Sequence, residues 1–323
     1  IMLRRLLIPL TYFCLQTWLG IPQLSMMPDA FDDQYIGCAE EMDEIVSELL
    51  EKEKSMSSLF RTVWENAEKE WECVKKEISL PKGFEDEYGR AIVAYTDNDF
   101  HSELNAAVRG AGTSRAHYMA SFHFKAFHYY LTRALQLLRG RCDVMYNMTV
   151  YRGVSARFQH TGSGDIRFGH FASSSIKEEV AERYSTKNLT TTPTLFTIQT
   201  CFGVKIWNFS YSPPDEEVLI PAHEIFNVTR GQDSNSFVLR STNRTCSHFN
   251  CAYLGEERRG QPGTVTAAAG GVAPLPRDQC REGGSVADGA SRAASGGPEV
   301  SHTYHVQKSQ NRDLHDLRTY LQP

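Results

Sequence analysis

Apolar side chains recur at spacings of three and four between residues 39 and 78, where Met42, Ile45, Val46, Leu49, Leu50, Leu59, Phe60, Val63 and Trp64 form one stripe. Such spacing predicts amphipathic helix, since those positions share a face of a helical turn, and the outer face here is heavily acidic. A second stripe runs from Ser114 to Leu138 through Tyr118, Phe122, Phe127, Tyr130, Leu131 and Leu135, with Gly140 as its stop signal. The front of the chain therefore reads as mostly helical, with Ala91 to Thr96 as an isolated strand candidate.

From Met148 onward the pattern changes to short β-rich runs separated by Gly, Asn and Pro. The predicted strands are Thr149 to Val154, Ile166 to Ile176, Thr194 to Thr200, Val204 to Phe209, Glu217 to Ile220, Glu224 to Thr229 and Phe237 to Leu239. Strands at this spacing suggest an antiparallel or sandwich-like sheet and not a parallel βαβ array. The fold class is α+β, as one domain over roughly residues 26 to 254. Residues 255 to 323 are rich in Gly, Ala, Ser and Pro, too poor in large apolar surface to offset chain entropy, and are expected to be disordered.

Composition narrows the function. At 323 residues and 41% hydrophobic content the chain can bury a sizeable core, and a net charge of −5 without a Lys/Arg-rich run argues against nucleic acid. Residues 1 to 25 pass from Arg4 and Arg5 through a short apolar run to small and polar residues, the order of a secretory signal peptide. Asn147, Asn188, Asn208, Asn227 and Asn243 each begin a glycosylation acceptor, which agrees with export. No apolar tail of the lipid-anchor kind closes the sequence, so the expected product is secreted and unanchored. With Cys14 in the leader, Cys38, Cys73, Cys142, Cys201, Cys246, Cys251 and Cys280 remain. In an oxidising compartment most should be paired, and the absence of Cys-x-x-Cys spacing speaks against structural zinc.

Three local signals carry chemistry. Asp215-Glu216-Glu217 leads into a strand, whose alternation would set Asp215 and Glu217 on one face. Two carboxylates so placed suit stabilisation of a developing cation, although on spacing alone a solvated acidic turn after Pro213-Pro214 is the favoured account. Arg152, in Tyr151-Arg152-Gly153-Val154, offers a planar fork for a phosphate or is a strand-end surface residue. Ser173, Ser174 and Ser175 offer hydroxyls to a ligand or to a helix cap before Ile176. His123 and His128 are too far apart for a helical metal pair and read as packing or surface residues, so no metal is expected.

Arg, Ser and Asp/Glu-x-Glu, in that order and each at a strand, resemble the triad of the ecto-ADP-ribosyltransferase family. Phe31-Asp32-Asp33-Gln34-Tyr35, Phe124 to Leu131, Tyr151-Arg152-Gly153, Phe171 to Ser175, Glu217 to Pro221 and Cys246 to Leu254 also look like that family. The tail closing with Leu317 to Pro323 is similar to that of a secreted member. The resemblance implies an ADP-ribosyltransferase fold: two small β-sheets forming an NAD cleft, flanked by an N-terminal helical subdomain. It implies NAD as co-substrate, without metal, and transfer of ADP-ribose to arginine side chains of extracellular or luminal proteins. By position, Arg152 would hold the NAD phosphates, Ser173 would orient the ribose and the catalytic acid, and Glu217 would be that acid. Tyr95, His170 and Ser210 fall where the family contacts NAD, and Asp215 where it engages the incoming guanidinium. Two positions depart from the family pattern: Asp215 stands for Glu and His170 for Gln. An NAD glycohydrolase using the same site, and a catalytically silent binding module, are the alternatives. The resemblance also implies that Cys38 pairs with Cys246 or Cys251, and Cys142 with Cys201, leaving Cys73 and Cys280 unassigned.

Overall fold

The structure is a computed structural model that describes residues 21–160, 164–186, 192–233 and 235–255. The expected leader and Gly/Ala-rich tail, with Cys14, Cys280 and Asn188, lie almost wholly outside these residues. Helix α1 (Ala39–Met56) buries Met42, Val46, Leu49 and Leu50, and places Glu40 and Glu41 in its first turn, where the helix dipole favours negative charge. It stops at Ser57, whose hydroxyl accepts from the Phe60 amide and starts α2 (Ser58–Val74), so the long stripe is two helices and not one.

Residues 91 to 96 are not a strand. Residues 91 to 95 belong to α3 (Asp86–Tyr95), in which Ala91 through Tyr95 are all buried, and Thr96 is its C-cap. A fully buried apolar run has no polar face to reveal its period, which is why the sequence pattern misassigned it. After α4 (Phe100–Ala111), the second stripe also divides, into α5 (Arg115–Ser121) and α6 (Lys125–Leu138). Here the cap comes from far away in sequence. The buried Glu53 carboxylate on α1 accepts from the amides of Ala126 at 2.8 Å and Phe127 at 3.3 Å, meeting donors that the first turn of α6 leaves free. These helices share one apolar core rich in aromatic contacts, such as Phe60 against Phe100 and Phe127.

A short α7 (Cys142–Tyr146) leads into the sheet. Its strands are β1 (Thr149–Val154), β2 (Asp165–Ile166), β3 (Ala172–Ser175), β4 (Thr194–Gln199), β5 (Val204–Lys205), β6 (Glu217–Ile220), β7 (Glu224–Arg230) and β8 (Ser236–Thr245), with α8 (Glu178–Ser185) between β3 and β4. The order is β2-β7-β8-β4-β1-β3-β6-β5. All pairings are antiparallel except β4 with β8. The two expected sheets correspond to two wings of this order, joined where Tyr151 of β1 pairs with Ser175 of β3. The run from Ile166 to Ile176 is interrupted because Arg167 turns inward: Nη1 lies 2.6 Å from Asp32 Oδ2, with both side chains fully buried. Val204 to Phe209 likewise ends early, in a 3-10 turn at Trp207–Phe209.

Asp32 and Asp33 tie the first described segment to the last. Asp32 accepts from the amides of His248 and Phe249, and Asp33 from those of Cys251 and Ala252. Cys38 is bonded to Cys251 and Cys142 to Cys201. The first closes a loop spanning 213 positions, worth about 5 kcal/mol in the chain-entropy account. Cys246 is disulfide-bonded as well, and Cys73 is a free thiol at the surface.

Candidate active site

Arg152, Ser173 and Glu217 come from neighbouring strands β1, β3 and β6, and they converge. Arg152 Nη1 donates to the carbonyl of Ser173 at 2.7 Å. The Ser173 hydroxyl is hydrogen-bonded to the Glu217 carboxylate. Gly153 lets this happen, because a Cβ there would sit 1.7 Å from the carbonyl oxygen of Ala181 on α8. The glycine of Tyr151-Arg152-Gly153 thus permits α8 to lie against β1.

Burial, which still leaves part of the residue open to solvent, pushes the Glu217 carboxyl up to about 7; the Ser173 hydrogen bond opposes that rise and the Asp215 charge adds to it. Burial lowers the pKa of the Arg152 guanidinium, which forms no ion pair among the described residues. One of its five N–H groups meets the Ser173 carbonyl and another approaches His170 Nε2 at 3.5 Å, so most of its donor capacity is unspent. Because His170 Nδ1 must donate to the Phe168 carbonyl, at 2.7 Å, its Nε2 is left as an acceptor toward Arg152. Burial, with the Arg152 and Arg109 charges, holds His170 down to about 3, so the ring stays neutral.

Tyr95, at the end of α3, donates its hydroxyl to the Phe171 carbonyl at 2.8 Å and lies 3.3 Å from Ser173 Oγ. It fixes where β3 begins. Ser210 is buried after the Trp207–Phe209 turn, and its hydroxyl accepts from the Ser212 amide at 3.0 Å. Ser210 is tied to the Tyr95 end of α3 through its neighbour Tyr211, whose amide donates to Thr96 Oγ1. Its hydroxyl is therefore not brought against the triad by a direct bond.

Asp215 departs from the strand reading. It closes a 3-10 turn at Pro213–Asp215, and Glu216 follows in the left-handed region at φ 46°. The turn, not strand alternation, brings Asp215 near Glu217. Asp215 Oδ1 is 2.8 Å from Arg183 Nη2, and Tyr184 Oη donates to Oδ2 at 3.3 Å. The serine run does not cap a helix either. Ser175 Oγ donates to the Asp215 carbonyl at 2.6 Å and accepts from the Lys177 amide, so it anchors the acidic turn.

Sequence reasoning missed Asn105, Arg109, Arg183 and Tyr184. Asn105 Nδ2 donates to both Tyr95 Oη and the Phe171 carbonyl at 3.0 Å, and Arg109 adds a positive charge felt by Arg152 and His170. No local pattern marks these residues; only the approach of α4 and α8 to the strands gives them a role. A surface cleft of about 430 Å³ lined by Asn66, Lys69, Glu70, Cys73, Asp97, Asn98 and Tyr211 holds none of the triad. The candidate site is therefore assigned to the strands, where Arg152, Ser173 and Glu217 meet. Among the described residues no cluster could hold a metal ion.

The chain is similar to known proteins over most of its length. The chain is 48% identical over 270 residues to human ecto-ADP-ribosyltransferase 5, covering 80% of this chain and 91% of that protein. It is 43% identical over 248 residues to rat T-cell ecto-ADP-ribosyltransferase 2, covering 76% and 86%. Among solved structures, the eukaryotic mono-ADP-ribosyltransferase ART2.2 superposes with a TM-score of 0.63 at 42% identity, over 72% of this chain and 99% of that one. A variant of ART2.2 crystallised in complex with NAD gives a TM-score of 0.64 at 42% identity, with the same coverage. The NAD:arginine ADP-ribosyltransferase family matches residues 24–247, and the chain belongs to that family.

Proposed function

We propose that this enzyme is an extracellular mono-ADP-ribosyltransferase that moves ADP-ribose from NAD to arginine side chains of proteins and releases nicotinamide. The observation that carries the reading is the convergence of Arg152, Ser173 and Glu217 on three neighbouring strands. The donor set fits NAD, because a desolvated guanidinium with unspent donors suits a pyrophosphate and a carboxylate suits a sugar that becomes positive. NAD supplies a bond between nicotinamide and ribose whose cleavage leaves positive charge on the sugar, the charge type glycosidases meet with a carboxylate.

Each residue then has one task. Arg152 binds the phosphates, with neutral His170 accepting from its guanidinium and keeping the fork oriented. Ser173 orients Glu217 and the adjoining ribose, while Tyr95 and Asn105 hold the start of β3 in place. Glu217, once ionised, stabilises the positive sugar. Ser210 belongs to the wall at the Tyr95 end, and Asp215 meets the acceptor guanidinium. The catalytic domain is assigned to residues 26–254.

Secretion is supported by the exposure of Asn147, Asn208, Asn227 and Asn243, which leaves these acceptors open to modification. Among the described residues no helix is long and apolar enough to cross a membrane. The substrates are proteins that present arginine outside the cell. One observation favours a second reading. Asp215 is already paired with Arg183, which would weaken capture of an acceptor and let water compete, as in an NAD glycohydrolase. Incubation with labelled NAD and agmatine tests the assignment. Labelled agmatine adduct supports the transferase, free ADP-ribose alone supports the hydrolase, and unchanged NAD leaves only a silent binding module.

A further inference from the structure

We propose that Arg183 is a built-in competitor for the acceptor arginine, occupying Asp215 and so setting how NAD divides between transfer and hydrolysis. The inference rests on the reading of Asp215 as the contact for the incoming guanidinium. Arg183 lies in the last turn of α8 and reaches Asp215 Oδ1 at 2.8 Å, while Tyr184 holds Oδ2. An acceptor arginine brings the same planar, positively charged fork, and it must displace Arg183 to reach that carboxylate.

The contact is built to yield. The Arg183 side chain is 62% exposed against 22% for Asp215, and a solvent-screened ion pair of this kind contributes little. It uses one N–H on one oxygen, whereas a free guanidinium can engage both oxygens together. The neighbouring acid is covered in the same way, with Lys177 Nζ 2.8 Å from Glu216 Oε1. Of the three consecutive acids, Glu217 alone has no cation at ion-pair distance among the described residues. The segment around α8 therefore screens the two acids ahead of the strand and leaves the third open for chemistry.

A structural role for Arg183 is a weaker account, because the backbone of the acidic turn is held without it. Ser175 Oγ donates to the Asp215 carbonyl at 2.6 Å, and Lys177 Nζ to the Pro214 carbonyl at 2.9 Å. Removing the Arg183 guanidinium leaves both bonds in place.

The test measures the KM for agmatine, the adduct formed and NAD hydrolysis without acceptor, for the parent, Arg183→Gln and Arg183→Lys. The expected result for Arg183→Gln is an agmatine KM lowered by up to about fivefold, more adduct per free ADP-ribose, and unchanged acceptor-free hydrolysis. Arg183→Lys, which keeps the charge, stays near the parent. In an Asp215→Asn background, Arg183→Gln no longer alters the agmatine KM. If the parent forms adduct and Arg183→Gln shows an unchanged or higher KM, or if hydrolysis falls in step, the competition is overturned and the transferase stands. NAD consumed by both proteins with no adduct from either overturns the transferase and the competition together.

Discussion

Arg152 Nη1 and the Ser173 carbonyl are joined by a 2.7 Å hydrogen bond, so two members of the proposed triad also brace two strands. β1 and β3 share the single register pair of Tyr151 with Ser175, and the Arg152 bond adds a second tie across that seam. The place where the wings of the sheet meet is thus the place where the site is assembled.

Glu217→Gln keeps the volume of the side chain but removes its charge. The rate of nicotinamide release should fall about 10²- to 10³-fold, the order of losing one preorganised electrostatic contact, or about 2.7 to 4 kcal/mol. A variant that consumes NAD at the parental rate would remove Glu217 from the mechanism.

The pH profile should carry the signature of the same carboxyl. With Glu217 raised to about 7, kcat/KM for NAD should rise with pH through that value as the carboxylate forms. His170, held near 3, does not titrate in this range, so His170→Gln should keep the rising limb. The stability sign is opposite. Because the folded pKa lies above the unfolded one, this carboxyl's contribution is full below about 4.5 and lost as pH rises through about 7. Glu217→Gln should therefore melt higher relative to the parent at pH 8 than at pH 5, measured by calorimetry.

Asp215→Glu lengthens the first acid by one methylene toward the acceptor. The ratio of agmatine adduct to free ADP-ribose should rise about tenfold, the scale of one charge-assisted hydrogen bond. Product analysis with labelled NAD reads this directly, and an unchanged ratio would show that the shorter acid does not limit transfer.

Gly153→Ala should destabilise the fold by about 1 to 3 kcal/mol or more, because its Cβ would meet the Ala181 carbonyl at 1.7 Å. Urea unfolding measures the loss. Nicotinamide release should drop with it, as α8 moves off β1 and carries Arg152 with the shifted strand.

Much of this was legible along the chain. The stripe over residues 39 to 78 located α1 and α2, since an exposed polar face preserves the helical period, and the stripe over 114 to 138 located α5 and α6 although α6 is buried over most of its length. The breaks within them were not legible: the cap on α6 is Glu53, a residue more than seventy positions away. Residues 91 to 95 lost their period to complete burial. Arg152, Ser173 and Glu217 were found through the order of three motifs at strands, while Asn105 and Arg183 acquire meaning only from what α4 and α8 approach. Asp215 was assigned to a strand because alternation was assumed to begin before Glu217, where Pro213 and Pro214 instead wind a turn.

The Cys38–Cys251 bond joins the two ends of the described domain. A protease that cuts an exposed loop between these cysteines produces two fragments that remain one covalent body, separable only after reduction. Such a nicked enzyme keeps its first and last described segments together.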